Sequence, residues 1–272
     1  MKLLPLILVG LLLGSDCDPG GTPLPPPEPN AYCGGAVVQP EPTAYESAVD
    51  YVSAKLATII GGEPSTDRRA TVLVWITDPT HADDITAATN AAIPTASGYC
   101  SGTVIGGRTV LTAAHCNGSR MDIEVDGMII KVATTLVHPD FIYGNWPFHD
   151  LMLLHFDQNV PGPAVSIIYE AGTDGCEMLV AQGYGEDNIP GPIQLNEAKY
   201  VVTKEGTMVL ETTGADTGHH CFGDSGSGLY AVVNGELQIA GVCSTTYSQD
   251  CLIGGDYVNL KFFRGWIEGN TI

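Results

Sequence analysis

Basic residues are scarce in this chain: 11 Lys and Arg face 31 Asp and Glu over 272 residues, a formal charge of −20. That balance excludes a phosphate-tracking surface, because nucleic acids and anionic membranes are bound by clustered cations that displace counterions. Long apolar runs are missing as well. The one candidate, Leu3 to Leu13, covers 11 positions broken by Pro5 and Gly10, too short for a bilayer-spanning helix of about 20 residues. Following Met1-Lys2, it suits the core of a signal peptide, with cleavage expected near Gly14 to Asp16. No C-x-x-C pair or His/Cys cluster has the spacing of a zinc site. Neither a metal nor another cofactor is therefore expected, and the adjacent His219 and His220 are read as pocket residues rather than ligands. Helical periodicity is scarce too, which excludes an all-helical fold.

Cysteine, by contrast, is plentiful. Eight cysteines in an exported chain read as a disulfide framework. Cys17 opens an alternative, a lipid-anchored exported protein, although Asp16 departs from the small residue that a lipidation site wants. Secretion is the preferred reading.

Three stretches follow from composition. Residues 1–16 read as the signal peptide. Residues 17–58 read as a Pro-rich linker and pro-segment: Asp18 to Pro42 is rich in Pro and Gly around Pro25-Pro26-Pro27, too poor in apolar residues for a core. Thr43-Ala44-Tyr45-Glu46 has capping-box spacing, and Val49, Val52 and Leu56 form a stripe that predicts a short helix over 44–57. Residues 59–272 form one domain of short strands. Thr71 to Thr77 is one strand, and Asp122 to Val125 with Met128 to Ala133 flank an Asp126-Gly127 hairpin turn. Tyr230 to Val233 and Glu236 to Val242 flank Asn234-Gly235 in the same way. Phe262 to Ile267 predicts a C-terminal helix. This pattern implies an all-β fold of two antiparallel barrels. Asp78 to Gly98 reads as an enlarged loop, and Asn117-Gly118-Ser119 fits a glycosylation sequon.

The chemistry concentrates in three segments. Cys221-Phe222-Gly223-Asp224-Ser225-Gly226-Ser227-Gly228 sets a serine between glycines, after an acid. Serine is a weak nucleophile, so Ser225 needs a general base and donors for a developing oxyanion. Val110-Leu111-Thr112-Ala113-Ala114-His115-Cys116 delivers a histidine to a strand end. His149-Asp150-Leu151-Met152-Leu153-Leu154 sets an aspartate before an apolar strand. With these segments in the order His115, Asp150, Ser225, the chain resembles the chymotrypsin/trypsin family of serine proteases, in a secreted, bacterial-type form with a pro-segment.

That resemblance implies two six-stranded barrels with the site in the cleft between them, and a serine endopeptidase acting on protein or peptide substrates through an acyl-enzyme. A catalytically inactive homologue acting as a binding module is the alternative. His115 would be the base, Asp150 its orienting partner, and the N–H groups of Gly223 and Ser225 the oxyanion hole. Cys100 would pair with Cys116 and Cys221 with Cys251, leaving Cys17, Cys33, Cys176 and Cys243 unassigned. Ile59-Ile60-Gly61-Gly62 resembles a start exposed by an activating protease, its new ammonium pairing with Asp224; Thr58 before it departs from trypsin-activated precursors. Ser227 replaces a glycine usual after the nucleophile. Ser244 would contact the aspartate, and the backbone from Ser244 to Thr246 would pair with substrate. His219 would floor the primary pocket, with Thr246 and Gly255 on its walls. Such a pocket implies non-tryptic specificity, with acidic side chains gaining near pH 6 as His219 takes a proton.

Overall fold

Alternating burial and tight turns wind the described chain into two antiparallel sheets. The computed structural model describes residues 62–65, 68–79, 96, 98–168, 178–185, 193–214, 218–233 and 236–272. The expected helix over 44–57, Ile59, Cys17, Cys33, Cys176, Asn234-Gly235 and most of the 78–98 loop lie outside those residues. Strands β1 (Glu63–Pro64), β2 (Thr71–Pro79), β3 (Gly98–Gly106), β4 (Thr109–Thr112), β5 (Gly118–Val125), β6 (Met128–Lys131), β7 (Thr134–Val137) and β8 (Met152–His155) come first. They are followed by β9 (Ser166–Ile167), β10 (Met178–Gly183), β11 (Asn196–Glu205), β12 (Val209–Gly214), β13 (Gly228–Val233), β14 (Glu236–Thr246) and β15 (Gly255–Asn259).

The first sheet runs β6-β5-β2-β3-β4-β8-β7 and curls without a closing ladder among the described residues. In the second, β11-β10-β13-β14-β15-β12 closes through a β11–β12 pairing into a six-stranded barrel, with β1 outside on β11 and β9 parallel to β14. The all-β expectation therefore holds, with one barrel closed and the other a curled half-barrel. The Asp126-Gly127 hairpin forms as the dipeptide requires: Val125 pairs with Met128, and both turn residues take positive φ, 50° and 76°. This matches the right-handed twist of the flanking strands. Val233 pairs with Glu236 at the end of the β13–β14 ladder.

Strands β4 and β8 are buried nearly throughout, and Leu111 pairs with Leu153 at the centre of the first sheet. One apolar core takes in these residues together with Tyr230, Ile239, Val242 and Val258 of the second sheet. A polar clasp supplements it: the Thr71 hydroxyl lies 2.8 Å from the Tyr230 hydroxyl and donates to Gln182 Oε1 at 3.2 Å. Buried hydroxyls satisfied this way fix one sheet's position on the other without leaving an orphaned polar group. The chain ends in a 3-10 turn, Leu260–Phe263, and helix α1, Arg264–Asn270. No helix among the described residues is long and apolar enough to cross a membrane.

Candidate active site

Strand β4 delivers His115. After Thr112 the chain turns through Ala114–Cys116, and the Cys100–Cys116 disulfide (S–S 2.06 Å) ties that turn back to β3. Strand β8 delivers Asp150 from the next ladder position, since its Met152 pairs with Thr112. The Asp150 carboxylate accepts from His115 N at 2.9 Å, faces His115 Nδ1 at 2.7 Å and accepts from Ser244 Oγ at 2.6 Å. Asp150 is fully buried and His115 is 3% exposed. A carboxylate so placed demands a proton on Nδ1, which leaves Nε2 as the accepting nitrogen. The segment before Asp150 is braced by packing: His149, at φ 60°, stacks on His138 with centroids 5.1 Å apart, and both rings meet Phe263. Burial, and then the neighbouring His149, lowers the His138 pKa below its usual 6.5.

Two glycines make the Ser225 turn sharp. Gly223 and Gly226 have φ of 93° and 84°, a region where a side chain is strained. At Gly226 there is also no room, since a Cβ would lie 2.1 Å from Thr112 Oγ1 and 2.3 Å from Ser101 O. The other sheet holds the turn: Ser101 N donates to Ser225 O at 2.8 Å and Ser101 Oγ to Gly223 O at 3.0 Å. Among the described residues, the N–H groups of Gly223 and Ser225 donate to no acceptor. Two such amides beside a serine hydroxyl can receive a developing negative oxygen. The Cys221–Cys251 disulfide (S–S 2.07 Å) closes the segment. Asp224 is fully buried and accepts from Gly185 N at 2.8 Å and Cys221 N at 2.9 Å. Burial nevertheless dominates and pushes its pKa up from 3.8 to about 7.

His115 and Ser225 open onto one pocket of about 180 Å³. Ser244, Thr245 and Thr246 line it from β14, and Trp146, whose ring meets His115 edge-on at 5.9 Å, lines it from the segment before Asp150. The histidine lining this pocket is His220, not the expected His219. Gly255 stands behind the lining rather than in it: a Cβ there would come within 2.3 Å of His220 Nε2. Burial lowers the His220 pKa from 6.5 to about 4. The His220 ring therefore stays neutral near pH 6.

Sequence reading missed two contributors: Ser101 sits in a segment where only Cys100 carried meaning, and Trp146 had no motif. His220 lines the pocket as a pocket residue, the role read for it in the sequence. Cys100, His115 and Cys116 bring ligand-type atoms within 4.8 Å of one another, but both sulfurs are committed to the disulfide and cannot serve as thiolate ligands. Cys243 is buried and has no disulfide partner among the described residues.

The family model described as "Trypsin" matches residues 77–267. Among curated proteins, human (Homo sapiens) kallikrein-4 is 29% identical over 203 residues, covering 62% of this chain and 76% of the relative. Trypsin of Sus scrofa is 28% identical over 204 residues, covering 63% and 85%. Among solved structures, one described as "Structure of GrC" superposes with a TM-score of 0.63 at 20% identity, covering 78% of this chain and 98% of its own. Mouse-brain neuropsin, described as a serine protease, gives 0.52 at 22% identity, covering 62% and 87%.

Proposed function

This chain belongs to the trypsin family, and from that premise we propose that it is a secreted serine endopeptidase with Ser225 as nucleophile, His115 as general base and Asp150 as the group orienting His115. One observation carries the reading: a buried carboxylate fixes the His115 tautomer through the 2.7 Å contact at Nδ1, in a pocket shared with the Ser225 side chain's turn. Ser225 Oγ attacks the peptide carbonyl as its proton passes to His115 Nε2. The carbonyl oxygen, now negative, is received by the N–H groups of Gly223 and Ser225. Collapse of the tetrahedral species breaks the C–N bond, and the imidazolium returns the proton to the leaving amine. Water then repeats the sequence on the acyl-enzyme and frees the acid. The backbone of Ser244 to Thr246 pairs with an extended substrate as an added strand.

Maturation is part of the proposal. Residues 1–16 direct export, 17–58 are a linker and pro-segment, and cleavage before Ile59 by an activating protease supplies an ammonium group for Asp224. The raised pKa of Asp224 supports this, because a buried carboxyl that resists ionisation gains most from a new cation beside it. No carboxylate is among the described residues that line the pocket, which supports a non-tryptic specificity.

The test is a fluorophosphonate probe on secreted material whose N-terminus is sequenced. Wild-type protein beginning at Ile59 should label at Ser225, and Ser225→Ala should lose both labelling and peptide hydrolysis while keeping its thermal transition. Processed, folded protein that stays unlabelled overturns the reading in favour of a binding module.

A further inference from the structure

The pocket beside Ser225 is closed off by one side chain that reaches across it. His220 leaves the segment before Cys221, and its Nε2 lies 2.8 Å from the Thr245 carbonyl oxygen on β14. Both residues line the pocket, so this hydrogen bond joins two of its walls. A third segment backs the ring, since a Cβ on Gly255 of β15 would fall 2.3 Å from the same Nε2. Tyr200 and Tyr257 flank the imidazole, with centroids 5.7 Å and 5.3 Å away. The ring is only 2% exposed, and its contacts come from three separate strands, β11, β14 and β15.

The chemistry of this barrier follows from its hydrogen bond. A carbonyl oxygen only accepts, so Nε2 carries a proton, and burial, which lowers the ring's pKa from 6.5 to about 4, keeps a second proton off Nδ1. Nδ1 finds no partner among the described residues. The barrier therefore offers no anion to a lysine or arginine, whose charge would be buried unpaired, and no cation to a glutamate or aspartate. Space is limiting as well, because any side chain longer than a few atoms would have to part His220 from Thr245.

Resting on the peptidase reading above, we propose that His220 is a removable floor of the primary substrate pocket. It restricts the residue on the acyl side of the scissile bond to small uncharged side chains, and its ring fills the space bounded by Tyr200, Tyr257 and Gly255. Removing the imidazole turns that space into a hole for large apolar side chains without touching the groups that carry out the reaction.

The experiment uses peptidyl-coumarin substrates that differ only in the acyl-side residue: Ala, Thr, Leu, Phe, Arg and Glu. Active enzyme is counted by fluorophosphonate titration of Ser225. Wild type should favour Ala and Thr over each of the other four by at least about tenfold in kcat/KM, the scale on which a pocket discriminates by one or two methylenes. His220→Ala should move the Leu-to-Ala ratio toward Leu by about a hundredfold. Added imidazole should refill the hole and suppress Leu cleavage in that variant while sparing Ala cleavage, which a general loss of rigidity would not do. His220→Ser serves as a second variant, and if neither folds the wild-type profile decides by itself. A labelled wild type that prefers Leu, Phe, Arg or Glu overturns this inference alone, as does a folded variant with an unchanged profile. A wild type that neither labels nor hydrolyses any substrate overturns the peptidase reading and this inference with it.

Discussion

Asp224 is the residue whose energetics can be followed most directly, because one buried carboxyl changes sign of contribution as the chain matures. Its two hydrogen bonds, from Gly185 N and Cys221 N, do not offset burial, and its pKa stands at about 7 against 3.8 when exposed. That gap corresponds to about 4 kcal/mol by which burial disfavours the ionised form. In the unfolded chain the carboxyl loses its proton near 3.8, and in the uncleaved folded chain only near 7. Between those values the folded state binds more protons, so stability falls as pH rises through this window and levels off above it. Asp224→Asn cannot ionise and keeps one acceptor, losing about 1 kcal/mol of hydrogen bonding at every pH. Measured by urea denaturation in full-length Ser225→Ala protein, which cannot process itself, wild-type Asp224 should be the more stable at pH 4. By pH 8 the Asn variant should be ahead by about 2–3 kcal/mol. All other titrating groups are common to both chains and cancel in the difference. In protein produced with Ile59 as its first residue the order at pH 8 should reverse, because the Asn substitution now leaves the buried Ile59 ammonium without its carboxylate partner, at a cost of about 3–5 kcal/mol. Parallel pH curves in the uncleaved pair would refute the burial argument. An Asn variant that remains ahead after Ile59 is freed would refute the pairing.

Two further substitutions test how the site is held. Gly226→Ala must place a methyl 2.3 Å from Ser101 O at φ 84°, so it should cost about 2–5 kcal/mol in denaturant unfolding from strain and overpacking together; a loss under about 1 kcal/mol would mean that the turn is more pliable than its contacts indicate. Ser244→Ala removes the 2.6 Å hydrogen bond to Asp150; kcat should fall about tenfold or more with KM little changed, Ser244→Thr should recover most of it, and equal activity in all three proteins would remove Ser244 from the positioning of His115.

What the sequence disclosed, and what it hid, follows one physical line. His115, Asp150 and Ser225 were legible because each lies in a segment whose neighbours are constrained for a local reason. Buried β4 and β8 must be apolar, and the Ser225 turn needs glycine at positive φ. The Asp126-Gly127 turn was legible likewise, since few dipeptides take two successive positive φ values. Ser101 was not, because its role is to reach the Ser225 turn from another sheet, and no local pattern records a partner 124 positions away in the chain. The curled half-barrel and the closed barrel were indistinguishable for the same reason: closure is a pairing of β11 with β12, not a property of either strand.

The pocket is the instructive failure. His219 and His220 are chemically identical in sequence, and only the direction of each side chain separates a lining residue from its neighbour. That direction is set by the carbonyl of Thr245 and the missing side chain of Gly255, on two strands that come later in the chain. Gly255 had been assigned to a wall of the pocket. The space beside it is taken by the imidazole, so it is already filled by the protein. Depth of a pocket is thus a property of three segments at once, which is why residues in locally constrained segments stand out in the chain and the depth of the pocket between them does not.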